Sequence, residues 1–396
     1  MANLSSSNGI EKFPKLRFPE FKEPYRSARL GEIAVLINRT DPKSAAPIMM
    51  LSAGNGFIMQ SDKYSRYNAG QSLKKYILLK KGELAYNHGA SKAKQFGCCY
   101  ELLEDEALIP YVYHCFKVDK NEYTPYVAFL LNNPKIDRQL KRLVSSSARM
   151  DGLLNISFKD YMSINLSLPP YAEQKQVSDF IKRIDERIVI QEQLISSLKK
   201  YKRGVIKTIF DTLTPVSKSS IGKMATMFSG GTPRSDIVEY YNGSIPFIRS
   251  GEIHNDFTEL HLSQIGLDNS SAKMVRKGDL LYALYGATSG EVDISKIDGA
   301  INQAILCIRT NEISSEYLAL WLEINKNNIL SKMLQGGQGN LSGELVKSLV
   351  VPIYSKTEEQ VIVRIGNSIN KLIDANTNML YMLNKAKESL LQQMFI

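Results

Sequence analysis

Residues 177–209 read VSDFIKRIDERIVIQEQLISSLKKYKRGVIKTI, and this segment determines how the whole chain is organised. Its apolar residues recur at alternating steps of four and three, which is the heptad pattern of a helix that packs along another helix. Charged residues such as Arg183 and Glu186 lie between them, so the other faces of the helix are exposed to water. The pattern predicts a helix over residues 173–210, roughly 35 residues and about 50 Å long.

The same pattern returns near the end of the chain. Residues 362–394 read IVRIGNSINKLIDANTNMLYMLNKAKESLLQQM, and most apolar positions of the first segment have apolar counterparts here. Each segment follows a proline and a Glu-Gln pair, at 173–174 and 359–360. The corresponding positions include Val177 with Ile362, Gln191 with Asn376, Lys202 with Lys387 and, as the weak match, Ile181 with Gly366. The chain therefore contains an internal repeat with an offset of 185 residues, the distance from Val177 to Ile362.

The length of chain between the two helices constrains their direction. Parallel helices would require the second globular region to bridge about 50 Å between residues 210 and 352. Antiparallel helices bring both ends of that region together, so we predict an antiparallel intramolecular coiled coil with a pseudo-two-fold arrangement. Gln191 and Asn376 would then face one another. They either fix the register as a buried polar pair or occupy a loosely packed, partly wet position.

The two globular regions mix short strands with helices, which predicts an α+β protein. In the first region we predict strands at 48–51, 76–79, 83–86 and 166–170, and a helix over 126–142 interrupted at 132–134. In the second we predict a helix at 314–334 and a strand at 350–353. Two short segments of the first region also recur in the second, 30–33 at 221–224 and 79–86 at 275–282.

The basic composition of the chain has two interpretations. The net charge of +10 and the pI near 9.1 fit either general solubility or binding to nucleic acid. The four cysteines are too few and too irregularly spaced for a disulfide framework, which predicts a reducing compartment. Residues 1–14 are predicted to be a disordered tail without a signal peptide, and no apolar run reaches membrane-spanning length. We expect a cytoplasmic protein.

The motifs of common enzymes are absent from the sequence. It contains no phosphate-binding Gly-Lys-Ser/Thr loop, no Gly-x-Ser-x-Gly elbow and no Asn/Asp-Pro-Pro-aromatic motif for amino methylation. His254 and His261 have no partners at metal-ligand spacing, and are interpreted as surface or base-contacting residues. The glycines of 229–233 resemble a phosphate cradle, but a tight turn with positive φ is the preferred interpretation. The sequence thus predicts no catalytic residue, cofactor or metal in this chain.

Binding residues are instead predicted on the loops of both globular regions. Arg, Lys, Asn, Gln and Ser side chains read base edges and hold phosphates, and glycine permits close approach to a duplex. Any one of these residues alone fits a solvated loop, so the prediction rests on similar loops in both copies. The candidate DNA-binding residues are Lys63, Arg66, Asn87, His88, Ser91, Lys92, Lys94, Arg149, Thr232, Arg234, Arg249, Ser250, His254, Tyr285, Ser289, Gln335, Gln338 and Asn340.

These features together resemble the specificity subunit of type I restriction-modification enzymes. The resemblance lies in the two-copy plan and in the segments PKLRFPEF at 14–21, FSGGTP at 228–233, IPFIRSGEI at 245–253 and RKGDLL at 276–281. It covers the whole chain after the tail. The implied organisation is target recognition domain 1 at 15–168, a spacer helix at 169–213, target recognition domain 2 at 214–352 and a second spacer helix at 353–396.

The resemblance implies a non-catalytic DNA-reading subunit. Each recognition domain would read one half of a bipartite double-stranded DNA site. The helices would dock two methyltransferase subunits, and restriction subunits would join through that core. S-adenosylmethionine, ATP and Mg²⁺ are implied for the partners only. The first domain has 37–41 in place of the Ser-Gly-Gly-Thr-Pro segment, so an asymmetric target is expected.

The length of the helices is expected to set the gap between the two half-sites. At about 3.4 Å per base pair, a rod of about 50 Å fits half-sites on the order of one helical turn apart. Phe180, Leu372 and Met379 lie off the main seam and either dock the methyltransferase or pack against the globular regions. A coiled-coil scaffold with protein-binding ends is the alternative from another class. The basic charge and the polar loops argue against it.

Overall fold

The computed structural model describes residues 13–63, 70–91, 94–144, 154–335 and 341–396. Residues 1–12 of the predicted tail lie outside the described residues, as do Arg66, Lys92, Arg149, Gln338 and Asn340. The chain divides into two compact units. Unit 1 contains Met1–Gln191 and Met379–Ile396, and unit 2 contains Glu192–Asn378.

Unit 1 is a mixed helix and strand unit. Its strands are β1 (Arg26–Arg29), β2 (Ala34–Leu36), β3 (Met49–Ser52), β4 (Gly56–Met59), β5 (Ile77–Lys80), β6 (Leu84–Asn87), β7 (Cys98–Glu101), β8 (Glu106–Ile109), β9 (His114–Val118) and β10 (Asn165–Leu168). Its helices are α1 (Leu30–Ile33), α2 (Gln60–Lys63), α3 (Thr124–Leu131), α4 (Pro134–Leu143), α5 (Phe158–Met162) and the start of α6 (Tyr171–Thr212), with a 3-10 helix at Gly70–Lys75.

The central sheet of unit 1 has the strand order β2-β9-β6-β7, and its neighbours are antiparallel. Three two-stranded sheets, β1-β10, β3-β4 and β5-β8, complete the strand pairing among the described residues. One face of this sheet packs with the helices in a core, in which the rings of Tyr86 and Tyr161 stack with centroids 3.9 Å apart. The other face packs in a second cluster with residues of β3, β5 and β8. The strands predicted at 48–51, 76–79 and 83–86 are β3, β5 and β6, each displaced by one residue.

Unit 2 is also a mixed helix and strand unit. Its strands are β11 (Ser217–Ser220), β12 (Ala225–Ser229), β13 (Ile245–Ile248), β14 (His261–Leu262), β15 (Lys273–Val275), β16 (Leu280–Ala283), β17 (Val292–Ile294), β18 (Gly299–Ile301), β19 (Ile305–Thr310) and β20 (Val350–Ile353). Its helices are the end of α6, α7 (Ile221–Met224), α8 (Gln264–Asp268), α9 (Ser315–Gln335), α10 (Gly343–Ser348) and the start of α11 (Lys356–Met394), with 3-10 helices at Val238–Tyr240 and Ser250–Glu252.

Two four-stranded sheets organise unit 2. One is antiparallel, in the order β12-β19-β16-β17, and the other has the order β14-β13-β18-β15 with β13 and β18 parallel. The short pair β11-β20 matches β1-β10 of unit 1. The predicted strand at 350–353 and the predicted helix at 314–334 are found as β20 and α9. The α+β class is therefore confirmed.

The repeated Lys-Gly turn has the same physical cause in both units. Gly82 and Gly278 have φ of 80° and 95°, a conformation that glycine adopts without steric cost. The acidic residue that follows closes the turn. Glu83 accepts a hydrogen bond from the backbone N of Lys80 at 2.7 Å, and Asp279 accepts one from Arg276 at 2.8 Å. The segment therefore recurs in the sequence because this turn requires both the glycine and the acidic residue.

The interruption predicted at 132–134 in the helix over 126–142 is a complete break. The segment forms two helices, α3 and α4, which are separated at Asn132 and Asn133. The side chain of Asn133 accepts a hydrogen bond from the backbone N of Lys135 at 3.0 Å and so caps the second helix. Pro134 occupies the first turn of α4, where its missing N–H is harmless.

The long helices are antiparallel within each unit. In unit 1, Val177 near the start of α6 shares a core with Met394 at the end of α11, and Lys387 pairs with Asp185 at 2.5 Å. In unit 2, Ile206 near the end of α6 shares a core with Ile362 at the start of α11. The start of each helix thus packs with the end of the other, as predicted. Gln191 is buried, and its pairing with Asn376 stays a prediction.

The proline and Glu-Gln pair before each helix has a structural role. The side-chain oxygen of Gln174 accepts a hydrogen bond from the backbone N of Tyr123 at 2.9 Å, just before α3. In unit 2, Glu359 accepts one from the backbone N of Ser314 at 2.8 Å, just before α9. Both side chains are buried, and each caps a helix of its own globular region from the first turn of a long helix.

The weak match at Gly366 is explained by close packing in unit 2. A Cβ atom at this position would lie 2.5 Å from the side chain of Leu320 on α9. Lys202, at the repeat position of Lys387, is also directed to α9, where its ammonium group lies 2.5 Å from Glu323. Equivalent seam positions therefore meet different neighbours in the two units.

A buried ion pair fixes the N-terminal segment to unit 1 and leads to a test of stability. Arg17 donates two hydrogen bonds to Glu173, at 2.8 and 2.7 Å, and Glu173 is fully buried. Glu173→Ala leaves the Arg17 guanidinium, 11% exposed, without its partner. We expect a loss of about 3–5 kcal/mol in the free energy of unfolding, measured by urea denaturation.

The matched control is Glu358→Ala, at the equivalent repeat position in unit 2. Glu358 is not buried and contacts only the start of its own helix, through Ser355. If the two variants unfold at the same urea concentration, the ion pair of Arg17 and Glu173 does not stabilise unit 1 as described.

Candidate nucleic-acid interface

Three loops of unit 2 meet at one edge, where β16 ends and β19 begins. Thr232 donates a hydrogen bond from its hydroxyl to the side-chain oxygen of Gln303, and the phenol of Tyr285 donates to the backbone oxygen of Gln303. Gln303 is exposed and lies in the turn between β18 and β19. Two of the predicted residues are thus brought together by a third residue that sequence reasoning missed. Thr232, Tyr285 and Gln303 are called the Gln303 edge below.

Leu341 and Ser289 share one backbone oxygen next to Tyr285. Leu341, the first described residue after Gln335, donates its backbone N–H to the oxygen of Leu284 at 3.0 Å. The hydroxyl of Ser289 donates to that same oxygen at 3.1 Å. Ser289 and Leu341 therefore lie close to Tyr285. Gln335 is the last residue of α9, and its side chain lies outside the described residues.

The interpretation of the Ser-Gly-Gly-Thr-Pro segment as a turn with positive φ is wrong. Neither Gly230 nor Gly231 has a positive φ. A Cβ atom on Gly230 would instead lie 1.8 Å from the backbone oxygen of Ile301, and one on Gly231 would lie 2.5 Å from the Cβ of Ser271. The glycines are needed because the segment packs directly on the end of β18. This close approach places Thr232 beside Gln303.

Arg249 and His254 lie in a separate network of ion pairs. Arg249 contacts Glu252 at 3.0 Å and Glu259 at 2.5 Å. His254 contacts Asp293 through Nδ1 at 2.9 Å and Glu291 through Nε2 at 3.4 Å. The hydrogen bond with Asp293, reinforced by the charge of Glu291, raises the pKa of His254. Any phosphate at these cations has to compete with carboxylates that are already bound.

Other candidates of unit 2 are held locally. Arg234 is exposed and pairs with Asp236 at 2.6 Å. Ser250 is partly buried and begins a 3-10 helix next to Arg249. Lys296 donates to the backbone oxygen of His254 at 2.5 Å. This lysine belongs to the same network and was also missed, because only the folded chain brings it to the loop at 249–254.

In unit 1 the candidates lie on two separate stretches. Lys63 is exposed at the end of α2. Asn87 ends β6 and accepts a hydrogen bond from the backbone N of Gly89 at 2.9 Å, which shapes the turn that follows. Ser91 is exposed and bonds with the backbone N of Lys94 at 3.1 Å. Asn87 and Ser91 therefore belong to a polar loop that follows β6 of the central sheet, and Lys63 lies apart from it on α2.

Two of the unit 1 candidates are engaged with the protein itself. The ammonium group of Lys94 donates to the backbone oxygen of Asn132 at 2.8 Å, at the end of α3. The ring of His88 lies 5.2 Å from that of His114, whose pKa is lowered by burial. Both positions stabilise the loop, and either side chain would have to leave these contacts to reach DNA.

The described residues provide little for chemistry. No group of three or more His, Cys, Asp or Glu side chains there could hold a metal ion. The cysteines at 98, 99, 115 and 307 are buried and form no disulfide, and burial raises the pKa of Cys115 to about 12. Such a thiol is a poor nucleophile near neutral pH. None of the helices in this part of the chain has the length and apolarity that crossing a bilayer requires.

The chain is similar to proteins of type I restriction-modification systems. The family model described as "Type I restriction modification DNA specificity domain" matches residues 215–383. A chain named as the type I restriction enzyme MjaX specificity subunit, from Methanocaldococcus jannaschii, is 22% identical over 296 residues, covering 69% of this chain and 68% of its own length. The MjaIX specificity subunit of the same organism is 26% identical over 185 residues, covering 44% and 42%.

Solved structures have the same fold. The S subunit of a type I restriction-modification system from M. genitalium aligns with a TM-score of 0.56 at 15% identity, covering 97% of this chain and 99% of that one. A chain from a study of complex assembly and conformational transition in the type I R-M system aligns with a TM-score of 0.59 at 14% identity, covering 95% and 98%. Residues 215–383 match the model of the type I DNA specificity domain, and the predicted resemblance of the chain to type I restriction-modification specificity subunits is confirmed.

Proposed function

We propose that this chain is the DNA-reading subunit of a type I restriction-modification complex, with recognition domains at 15–168 and 214–352. The observation that carries the proposal is the duplication itself. Each unit contains one sheet-rich region and one part of each long helix. The family model matches residues 215–383, which contain the second sheet-rich region and most of α11. Two binding regions in one chain suit a bipartite site.

The Gln303 edge supports a reading role for unit 2. Thr232 and Tyr285 supply hydroxyl groups and Gln303 supplies an amide at this edge, and such groups discriminate base edges in the major groove. The ion pairs of Arg249 and His254 belong to a part of unit 2 whose charges are largely balanced. We therefore place the base contacts at the Gln303 edge and assign the Arg249 network to shaping the loop.

Unit 1 reads the other half-site with a different set of side chains. Its exposed candidates are Lys63 and Ser91, and it has no counterpart of the Ser-Gly-Gly-Thr-Pro segment in its sequence. Different side chains on the same scaffold recognise different bases. We therefore propose an asymmetric target, with one half assigned to each domain.

The long helices provide the spacer and the docking surface. Leu372 and Met379 on α11 are more than half exposed, and so are the neighbouring Tyr381 and Met382. Phe180 is partly covered, because its ring meets that of Phe18 edge-on at 5.8 Å. Exposed apolar side chains on a helix suit a protein interface. We propose that two methyltransferase subunits dock on these faces and that restriction subunits join through them.

Sequencing of methylated DNA tests the proposed function. Cells that express this chain with its methyltransferase subunits should show one bipartite, asymmetric, methylated motif with a fixed gap. The scaffold alternative predicts a complex that forms without any new methylated motif. That result, obtained with a purified and intact complex, would exclude the DNA-reading role.

Lengthening both helices by one heptad tests the spacer. Seven residues inserted after Gln191 and seven after Asn376 add about 10 Å to each helix. We expect the gap in the motif to grow by about three base pairs, because a base pair occupies about 3.4 Å, and both half-sites should stay the same. An insertion in one helix alone is the control, since it shifts the seam in one unit and should abolish methylation. A changed half-site with an unchanged gap contradicts the spacer role.

His254 offers a test of one candidate contact. Its carboxylate partners raise its pKa above the ordinary value of about 6.5, and Asp293→Asn should lower it. If His254 also contacts DNA phosphate, duplex binding adds negative charge and should raise the pKa further. NMR titration of the imidazole with and without duplex, assigned with His254→Gln, measures this. No change on binding would remove His254 from the interface.

A further inference from the structure

We infer that Gln303 is a base-reading residue of unit 2, that it recognises an adenine, and that Thr232 and Tyr285 position it. The inference rests on the proposed function and assigns one residue of the half-site read by unit 2. Gln303 was not among the residues predicted from the sequence, because nothing in its local pattern distinguishes it from an ordinary turn residue.

The turn that carries Gln303 is held from several sides. The backbone N of Ile305 donates to the oxygen of Asn302 at 3.2 Å, which closes the turn. Leu284 donates to the oxygen of Ala304 at 2.8 Å, and Asn302 donates to the oxygen of Ile248 at 3.3 Å. The phenol of Tyr285 donates to the oxygen of Gln303 itself. A side chain on so constrained a backbone loses little entropy on binding.

The side-chain amide of Gln303 is oriented as well. The hydroxyl of Thr232 donates to Oε1, and within the described parts of the chain Nε2 has no hydrogen-bond partner. An amide oxygen has two lone pairs, so one remains for a ligand. The exposed amide therefore offers one acceptor and one donor side by side. That pair matches the N6 amino group and N7 of adenine in the major groove.

A cation lies on the neighbouring strand. Lys273 on β15 is opposite Ile301 on β18, two residues before Gln303, and it is exposed. Its ammonium group lies 5.7 Å from the centre of the Phe228 ring and has no carboxylate within ion-pair distance among the described residues. It suits a phosphate contact beside the base that Gln303 reads. A phosphate contact fixes position without reading sequence.

Adenine is preferred over guanine because the Gln303 edge has no available arginine among the described residues. Guanine presents two acceptors, O6 and N7, and is best read by a cation with two donors. Arg234, two residues after Thr232, is exposed but is paired with Asp236. A glutamine amide whose oxygen is already aligned by a hydroxyl favours the donor and acceptor pattern of adenine.

The test is the methylated motif of complexes that contain Gln303→Ala. We expect one A·T position in one half-site to become degenerate, with the other half-site and the gap unchanged. Discrimination at that position should fall by about ten- to hundredfold in binding to matched duplexes. Thr232→Val should relax the same position, and Thr232→Ser, which keeps the hydroxyl, should retain the wild-type motif.

Two further variants separate reading from general effects. Gln264→Ala removes another exposed glutamine of unit 2, which is bonded to Asp268, and should leave the motif unchanged. Lys273→Ala should weaken binding to all duplexes alike and reduce the slope of log affinity against log salt by about one. Circular dichroism confirms that each variant is folded.

The inference is overturned if Gln303→Ala leaves the motif intact, relaxes a G·C position, or weakens all duplexes equally. If wild type gives a bipartite motif and any of these results is found, the proposed function stands and the role of Gln303 fails alone. If wild type gives no bipartite motif, both fall together.

Discussion

The fold depends on one constraint: the main hydrophobic core of each unit is completed by a helix segment that is remote in sequence. In unit 1 the ring of Phe395 stacks on that of Tyr126, with centroids 5.1 Å apart. The side chains of Asn133 and Lys135 donate to the backbone oxygens of Leu391 and Phe395. In unit 2 the end of α6 supplies Ile206 to a core that also contains Ile362. Neither sheet-rich region has a complete core without both helices.

That constraint explains why the architecture was predictable from the sequence. The heptad pattern recurs after 185 residues, which predicts that the two helices pack together. Antiparallel packing is favoured because the region between the helices then does not have to bridge the length of a helix. The short repeated segments also correspond to equivalent secondary structure, because 30–33 and 221–224 form the one-turn helices α1 and α7. The interruption predicted at 132–134 is also real, and it separates α3 from α4 because the side chain of Asn133 caps the second helix.

The candidate interface was predictable only in part, because tertiary neighbours decide which side chains are available. Thr232 and Tyr285 were indicated by polar loops, but Gln303, which joins them, comes from a turn without any motif. Arg249 looks like a phosphate ligand in sequence, yet it contacts two glutamates that a linear pattern does not reveal. The glycines at 230 and 231 were assigned to a turn, and the structure shows that steric contact with β18 and Ser271 requires them.

The central claim is that one chain reads two separate base runs and holds them at a fixed distance. Missing-base interference with the assembled complex, in which single bases are removed at random from the duplex and bound molecules are sequenced, tests it most directly. The account predicts two short clusters of essential bases, separated by a stretch in which any base can be removed without loss of binding. A single continuous cluster, or equal tolerance at every position, would contradict it.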